Sequence, residues 1–212
     1  MLAAVSDNGD VTWELPPTVD GVRRRRGERA LVRAAQRGDR RALEALFREH
    51  WPRAHRAAYL VVHDAAAAED IAQEAFLAAI RALDRFDRGR PFAPWLHRIV
   101  VNRAIDHARA RALRHEVDLA AAPRAGASAP PGDGLDGIVE ALATLQPDQR
   151  AVVVLRHLLG YTPGEIAALL DLPRGTVNSR LRRGLDAIRR RLEADGRAQQ
   201  LGGEAMPPGG RW

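Results

Sequence analysis

The sequence predicts an all-α protein of two small helical domains joined by a flexible linker, and three observations lead there. Hydrophobic residues make up 46% of the 212-residue chain but aromatic ones only 5%. The apolar set is mostly alanine and leucine, which favour helix, whereas strands favour β-branched and aromatic side chains. Apolar residues recur at helical spacing in two stretches poor in breakers, residues 28–114 and 137–193. Between them, residues 115–136 carry Pro123, Gly126, Pro130, Pro131, Gly132 and Gly134, the composition of a flexible linker.

Taken in order, residues 1–27 hold Gly9, Pro16, Pro17 and Gly21 without sustained period and read as a mobile arm ending in the basic cluster Arg23–Arg26. Arg37, Gly38 and Asp39 then precede a helical run with Ala42, Leu43, Leu46 and Phe47. From Ala68 to Phe86, Ile71, Ala75, Ala78 and Ala82 recur at spacings of four, three and four, with Phe76, Ile80 and Leu83 on an adjoining stripe. Asp70, Gln73 and Glu74 give this helix an acidic, polar end. Acids there either favour the helix start through the macrodipole or form a partner surface; the pattern allows both.

The stretch from Arg90 to Arg111 interleaves Arg98, Arg103, Arg109 and Arg111 with Trp95, while Leu96, Ile99 and Val100 keep helical period. Arginines beside an aromatic suit single-stranded nucleic acid, where bases stack on rings and guanidinium groups neutralise phosphates. A tryptophan near a helix start equally serves as core.

In the second domain Ile138, Leu142 and Leu145 share a helical face, and Pro147 opens the next helix at the position proline tolerates best. That helix carries Val152, Val153 and Leu155 and ends near Gly160. Thr162-Pro163-Gly164-Glu165 spells a capping box with proline at the first helical position. It opens a short helix through Ile166, Leu169 and Leu170. Asp171-Leu172-Pro173 makes the turn, and a last helix follows with Val177, Leu181, Leu185, Ile188 and Leu192 on one face. At 100° per residue Ser179 and Arg183 fall opposite that stripe, with Arg180 and Arg182 on its flanks. Arg174 and Thr176 sit near the helix start, the end that meets base edges in a helix-turn-helix. Residues 194–212 form a Gly/Pro-rich tail.

Charge agrees with this reading. The formal net charge is +6, and all 33 basic residues are arginine, whose planar fork matches phosphates and guanine edges. GC-rich coding also favours arginine, so position matters more than the total. There is no cysteine, hence no disulfide framework or thiolate metal site. No apolar run approaches a bilayer span, and the arginines at 23–26 are not followed by an apolar segment as an export signal requires. A cytoplasmic protein without membrane insertion is expected.

The motifs resemble a known family. Residues 68–87 and 91–111 are similar to region 2 of bacterial RNA polymerase sigma factors. Gly160–Ala167 with Gly175–Leu181 is similar to region 4 of the small extracytoplasmic-function (ECF) type, group 4 of the sigma-70 family. The resemblance covers about residues 28–193 with the linker free. It implies a region 2 helical bundle and a region 4 helix-turn-helix, and a factor that directs transcription initiation without catalysis or cofactor. Asp70, Gln73 and Glu74 would dock on the polymerase β′ clamp, and the β flap would be the second contact on core polymerase. Asn102 matches the asparagine that helps hold a base flipped from the single-stranded −10 element, with Trp95, Arg98 and Arg103 lining or supporting that region. Flipping costs a few kcal/mol, offset in the pocket. Arg174, Thr176, Asn178, Ser179, Arg180, Arg182 and Arg183 would read or clamp the −35 duplex. The family also implies control by an anti-sigma factor.

Two departures stand out. Asn178 occupies a position usually basic, and asparagine bonds adenine bidentately as arginine bonds guanine. Gly184 lies inside a helix, where it costs about 1 kcal/mol relative to alanine unless close packing needs it.

The linker also fits two DNA-reading modules. About twenty residues extend to roughly 70 Å at about 3.3–3.6 Å each, or about two turns of duplex, and tethering raises effective concentration. A conventional helix-turn-helix repressor or activator explains the second domain equally well, but not the pattern in the first. An enzyme would need a cluster such as His50, His55, His63 and Asp64 with Glu69 and Asp70, which matches no ligand motif.

Overall fold

The structure, a computed structural model, describes residues 4–5, 11–12, 19–117 and 136–203, with side chains described for 27–114 and 137–194. The expected linker lies largely outside these residues, as do most of the N-terminal arm and the end of the tail. Apart from a two-residue antiparallel pair, β1 (Ala4–Val5) with β2 (Val11–Thr12), the described elements are helical. The all-α expectation holds.

The first domain comprises α1 (Val19–Gln36), α2 (Arg40–Val62), α3 (Ala65–Ala82), a 3-10 turn (Leu83–Arg85) and α4 (Phe92–Val117). Helix α1 starts inside the stretch read as an arm, and α4 runs past the expected edge of the linker. Asp39 caps α2 by accepting from the Arg41 and Ala42 amides at 2.9 and 3.3 Å. Asp64 caps α3 through the Ala67 amide at 3.1 Å. Such caps satisfy amides that a helix start leaves without partners, each worth about 1 kcal/mol. Helix α2 stops at His63, which adopts the left-handed conformation with φ 53° and donates back to the Tyr59 carbonyl.

Helix α2 is the hub, packing on α1, α3 and α4. Ala54, Ala57, Ala58, Ala68, Ala72, Ala75 and Ala104 are fully buried. Small side chains at crossings bring helix axes close, so alanine here does packing work that aromatics would obstruct. Leu46, Val61, Phe76, Leu96 and Val100 fill the space between. The stripe on α3 is only partly internal: Ile71, Ala75, Phe76 and Leu83 are buried, whereas Ile80 is 46% exposed.

Helix α1 grips the connection before α4. The Gln36 amide donates to the carbonyls of Leu83 and Phe86 at 2.8 and 3.0 Å. Glu28 accepts from the Phe92 amide at 2.7 Å and so caps α4 from another helix.

The second domain comprises α5 (Asp136–Ala143), α6 (Pro147–His157), α7 (Pro163–Leu170) and α8 (Arg174–Gly203). The capping box is present in full: the Thr162 hydroxyl accepts from the Glu165 amide, and the Glu165 carboxylate accepts from the Thr162 amide at 2.8 Å. Asp171 ends α7 in the left-handed region at φ 55°. Leu142, Leu145, Val152, Leu155, Ile166, Val177 and Leu181 form the core. The apolar stripe of α8 is buried only in its first half; Leu185 and Leu192 stand 38% and 40% exposed. Gly184 lies against α6, where a Cβ would meet Val153 Cγ2 at 2.9 Å. Close approach therefore requires glycine at this position.

Periodicity treats each domain alone, yet the two pack together, α5 and α6 against α2, and α6 and α7 against α4.

Candidate nucleic-acid interface

Two arginine-bearing surfaces emerge, one in each domain. On α4, Trp95, Arg98, Asn102 and Arg109 fall within an arc of about 60°, opposite a buried face of Val100, Val101 and Ala104. Arg98 is exposed, and Asn102 is half-buried. Trp95 is half-buried, its ring 4.6 Å from Phe86 and 5.5 Å from Phe92. Those contacts give it a packing role at the edge of the exposed face, so the two sequence readings of this residue are compatible.

Arg103 projects to one side of that arc and donates to the Glu74 carboxylate at 2.8 Å. This ion pair joins a residue expected at the −10 element to one expected on the polymerase surface. Asp70, Gln73 and Glu74 are all exposed on α3, and Gln73 donates to Glu69 at 3.1 Å. Asp64, Asp70, Glu74, Arg103, Asp106 and Arg111 line a cleft of about 560 Å³ between α3 and α4. Its α3 side is acidic while its α4 side carries both arginines, and Arg111 meets Asp64 at 3.5 Å. Among the described residues no group of three histidine, aspartate or glutamate side chains forms a metal site.

The second surface is the face of α8 turned from its core. Arg174, Asn178, Arg182 and Arg183 are exposed, Thr176, Ser179 and Arg180 half-buried. The Ser179 hydroxyl donates to the Thr176 carbonyl at 2.9 Å. Helix α7, the turn at Asp171–Pro173 and α8 form the helix-turn-helix, with the Leu172 amide closing back onto the Ala167 carbonyl at 2.9 Å. Arg98, Arg182 and Arg183 present exposed guanidinium groups to solvent, as phosphate binding requires.

Sequence reasoning missed the residues at the junction of the domains. Tyr161 hydrogen-bonds Nδ1 of His97 at 2.7 Å. Burial, reinforced by His50 and Arg53, lowers the His97 pKa to about 4. Burial, then Glu165 and Glu28, pushes the Tyr161 hydroxyl up. Both side chains are therefore neutral at physiological pH. Arg150 is buried, and burial followed by Arg111 lowers its pKa to about 10; it stays charged. Asp148 accepts from Arg109 at 2.6 Å and pairs with Arg180 at 3.4 Å. His97 and Tyr161 fall within the segments that carry the resemblance, but no motif marks their contact, because contacts between two domains have no sequence period.

A helix-turn-helix beside a second helical domain with its own arginine-bearing face defines a two-domain DNA-binding protein. The sigma-70 region 2 family model matches residues 46–114, and that of sigma-70 region 4 matches residues 135–188. The chain is 30% identical to the ECF RNA polymerase sigma factor SigW of Bacillus subtilis, over 76% of its own length and 94% of the relative's. It is 34% identical to the ECF RNA polymerase sigma-E factor of Escherichia coli, over 78% and 94% of the two chains. A solved structure of CnrH in complex with the cytosolic domain of CnrY superposes with a TM-score of 0.61 at 30% identity, covering 80% of this chain and 99% of that one. The sigma factor RpoE of Bartonella quintana, solved with the anti-sigma factor NepR, gives 0.61 at 23% identity, covering 72% and 97%, and shares the fold. The chain belongs to the ECF group of the sigma-70 family of RNA polymerase sigma factors. Sigma factors are transcription initiation factors, not catalysts.

Proposed function

We propose that the first domain of this sigma factor docks on the β′ clamp through Asp70, Gln73 and Glu74 and melts the −10 element on the α4 face of Trp95, Arg98 and Asn102, with Arg103 at its side. The second domain meets the β flap and reads the −35 duplex with Arg174, Thr176, Asn178, Ser179, Arg180, Arg182 and Arg183. The observation that carries this reading is the pairing of an exposed arginine face on α8 with a separate face on α4 built from arginine, asparagine and an aromatic. Duplex recognition suits the first composition, stacking and base capture the second. Exposed carboxylates on α3 suit a basic partner surface on the polymerase.

The factor works in the cytoplasm, with the RNA polymerase that its sigma-factor relatives are named for. Control by an anti-sigma factor fits membership of the ECF group, and CnrH, 30% identical to this chain, was solved in complex with the cytosolic domain of CnrY.

The test is reconstitution with core polymerase on promoters captured from genomic DNA. Run-off transcripts that depend on this chain, with permanganate-reactive thymines at the −10 element, are expected. Binding to duplex without core, and no transcript with it, would instead identify a repressor or activator.

A further inference from the structure

We propose that Asp148 is a positioning residue for promoter recognition: it fixes the guanidinium of Arg180 at the edge of α8, so that this helix enters the −35 duplex in one register. The role rests on the assignment of the α8 face to that duplex.

The two residues belong to the same domain. Asp148 stands in the first turn of α6, and its carboxylate lies 3.4 Å from Nη1 of Arg180. Helical spacing puts Arg180 on the flank of α8, beside the core stripe of Val177 and Leu181. Gly184, one turn further along that flank, is buried against α6. A Cβ there would meet Val153 Cγ2 at 2.9 Å and the Cβ of Gln149, the residue after Asp148, at 3.8 Å. The close approach that glycine allows therefore brings the start of α6 up to Arg180.

The pair restrains Arg180 more than its neighbours on the helix. Its side chain is 24% exposed, whereas Arg182 and Arg183 stand in solvent. A free arginine loses rotamer freedom when it meets a phosphate; one already held loses less. Because the carboxylate engages Nη1, the donors on Nε and Nη2 remain for a phosphate, which a guanidinium fork can hold bidentately. Phosphate contacts set the register of a protein on duplex DNA, and base edges are read only in that register. Asp148 thus acts on specificity through Arg180. Its own negative charge opposes binding to duplex of any sequence, so the carboxylate contributes discrimination at a cost in general affinity.

The experiment uses the full chain reconstituted with core polymerase, carrying Asp148→Asn, Arg180→Lys or both. Competition binding reads affinity for a promoter captured from genomic DNA and for the same fragment with its −35 element scrambled. Asp148→Asn is expected to lower the ratio of the two affinities about fivefold, with affinity for the scrambled fragment unchanged or raised. Arg109 of α4 also meets Asp148, at 2.6 Å, but it acts alike on both fragments and cancels in the ratio. Arg180→Lys keeps the charge without the fork and should lower the ratio as far. The double variant should fall no further, since both substitutions act through one contact. A carboxylate that serves only the positive end of α6 would lower the thermal midpoint and leave the ratio intact. That outcome overturns the proposal, as does an additive double variant. If Asp148→Asn folds poorly, Arg180→Lys decides alone, an unaltered ratio overturning the proposal. A wild type indifferent to scrambling strikes the assignment of the α8 face itself, and the role of Asp148 with it.

Discussion

The guanidinium of Arg150 donates to the Val61 carbonyl at 2.6 Å across 89 positions of sequence. It also donates to the carbonyls of Leu142, Ala143 and Leu145 at 2.7–2.9 Å. One cation therefore caps the C-terminal ends of α5 and α2, where carbonyls lack intrahelical partners and the helix dipole is negative. Arg150→Met leaves these carbonyls without their donor, and a loss of about 3 kcal/mol is expected in urea denaturation. Arg150→Lys should not restore stability, because an ammonium cannot reproduce the fork.

The pH response follows from His97 and His63, both lowered to about 4, each chiefly by burial. Their ordinary value is 6.5. Above that pH both are neutral, folded or unfolded, and stability is full. As pH falls from 6.5 toward 4 the unfolded chain takes up protons that the native form excludes, so stability declines. The loss is up to about 3 kcal/mol per histidine. Denaturation midpoints measured across this range should fall with acid, and His97→Leu should flatten part of the slope.

Gly184→Ala is expected to destabilise the second domain by about 1 kcal/mol, against the ordinary helix preference for alanine. The added methyl would lie 2.9 Å from Val153 Cγ2 and 3.6 Å from Leu145 Cδ1. Thermal melting distinguishes the outcomes; a raised midpoint would show that α6 yields.

Asn178 is exposed on α8 beside the other expected base-reading residues. Asn178→Arg should shift the preferred base at one position of the −35 element from adenine toward guanine. Selection of bound duplexes from a random pool with holoenzyme checks it, and an unchanged preference refutes the contact.

Much of the fold was legible because it is local. Asp171, Thr162 and Pro147 announce their turn, cap and helix start through interactions within a few residues, and Val177 and Leu181 through period. The stripe on α3 misled at Ile80, since period locates a face but not how far a neighbour covers it. The arginines of α8 were placed by angle from the core stripe. The contacts Asp148–Arg180, Tyr161–His97 and Arg150–Val61 were invisible because they join residues 32 to 89 positions apart, on faces that no repeat relates. Glu28 and Gln36 escaped notice for the same reason.

If the α4 face holds a base as proposed above, those last two residues bear on how it does so. With Glu28 fastened to the first amide of α4 and Gln36 to the carbonyls of Leu83 and Phe86, α1 acts as a splint across the segment that carries Phe86, Phe92 and Trp95. On that reading these hydrogen bonds hold the aromatic rim in place beforehand, so less conformational entropy is lost on binding. Affinity for an extruded base can then be spent on discriminating it.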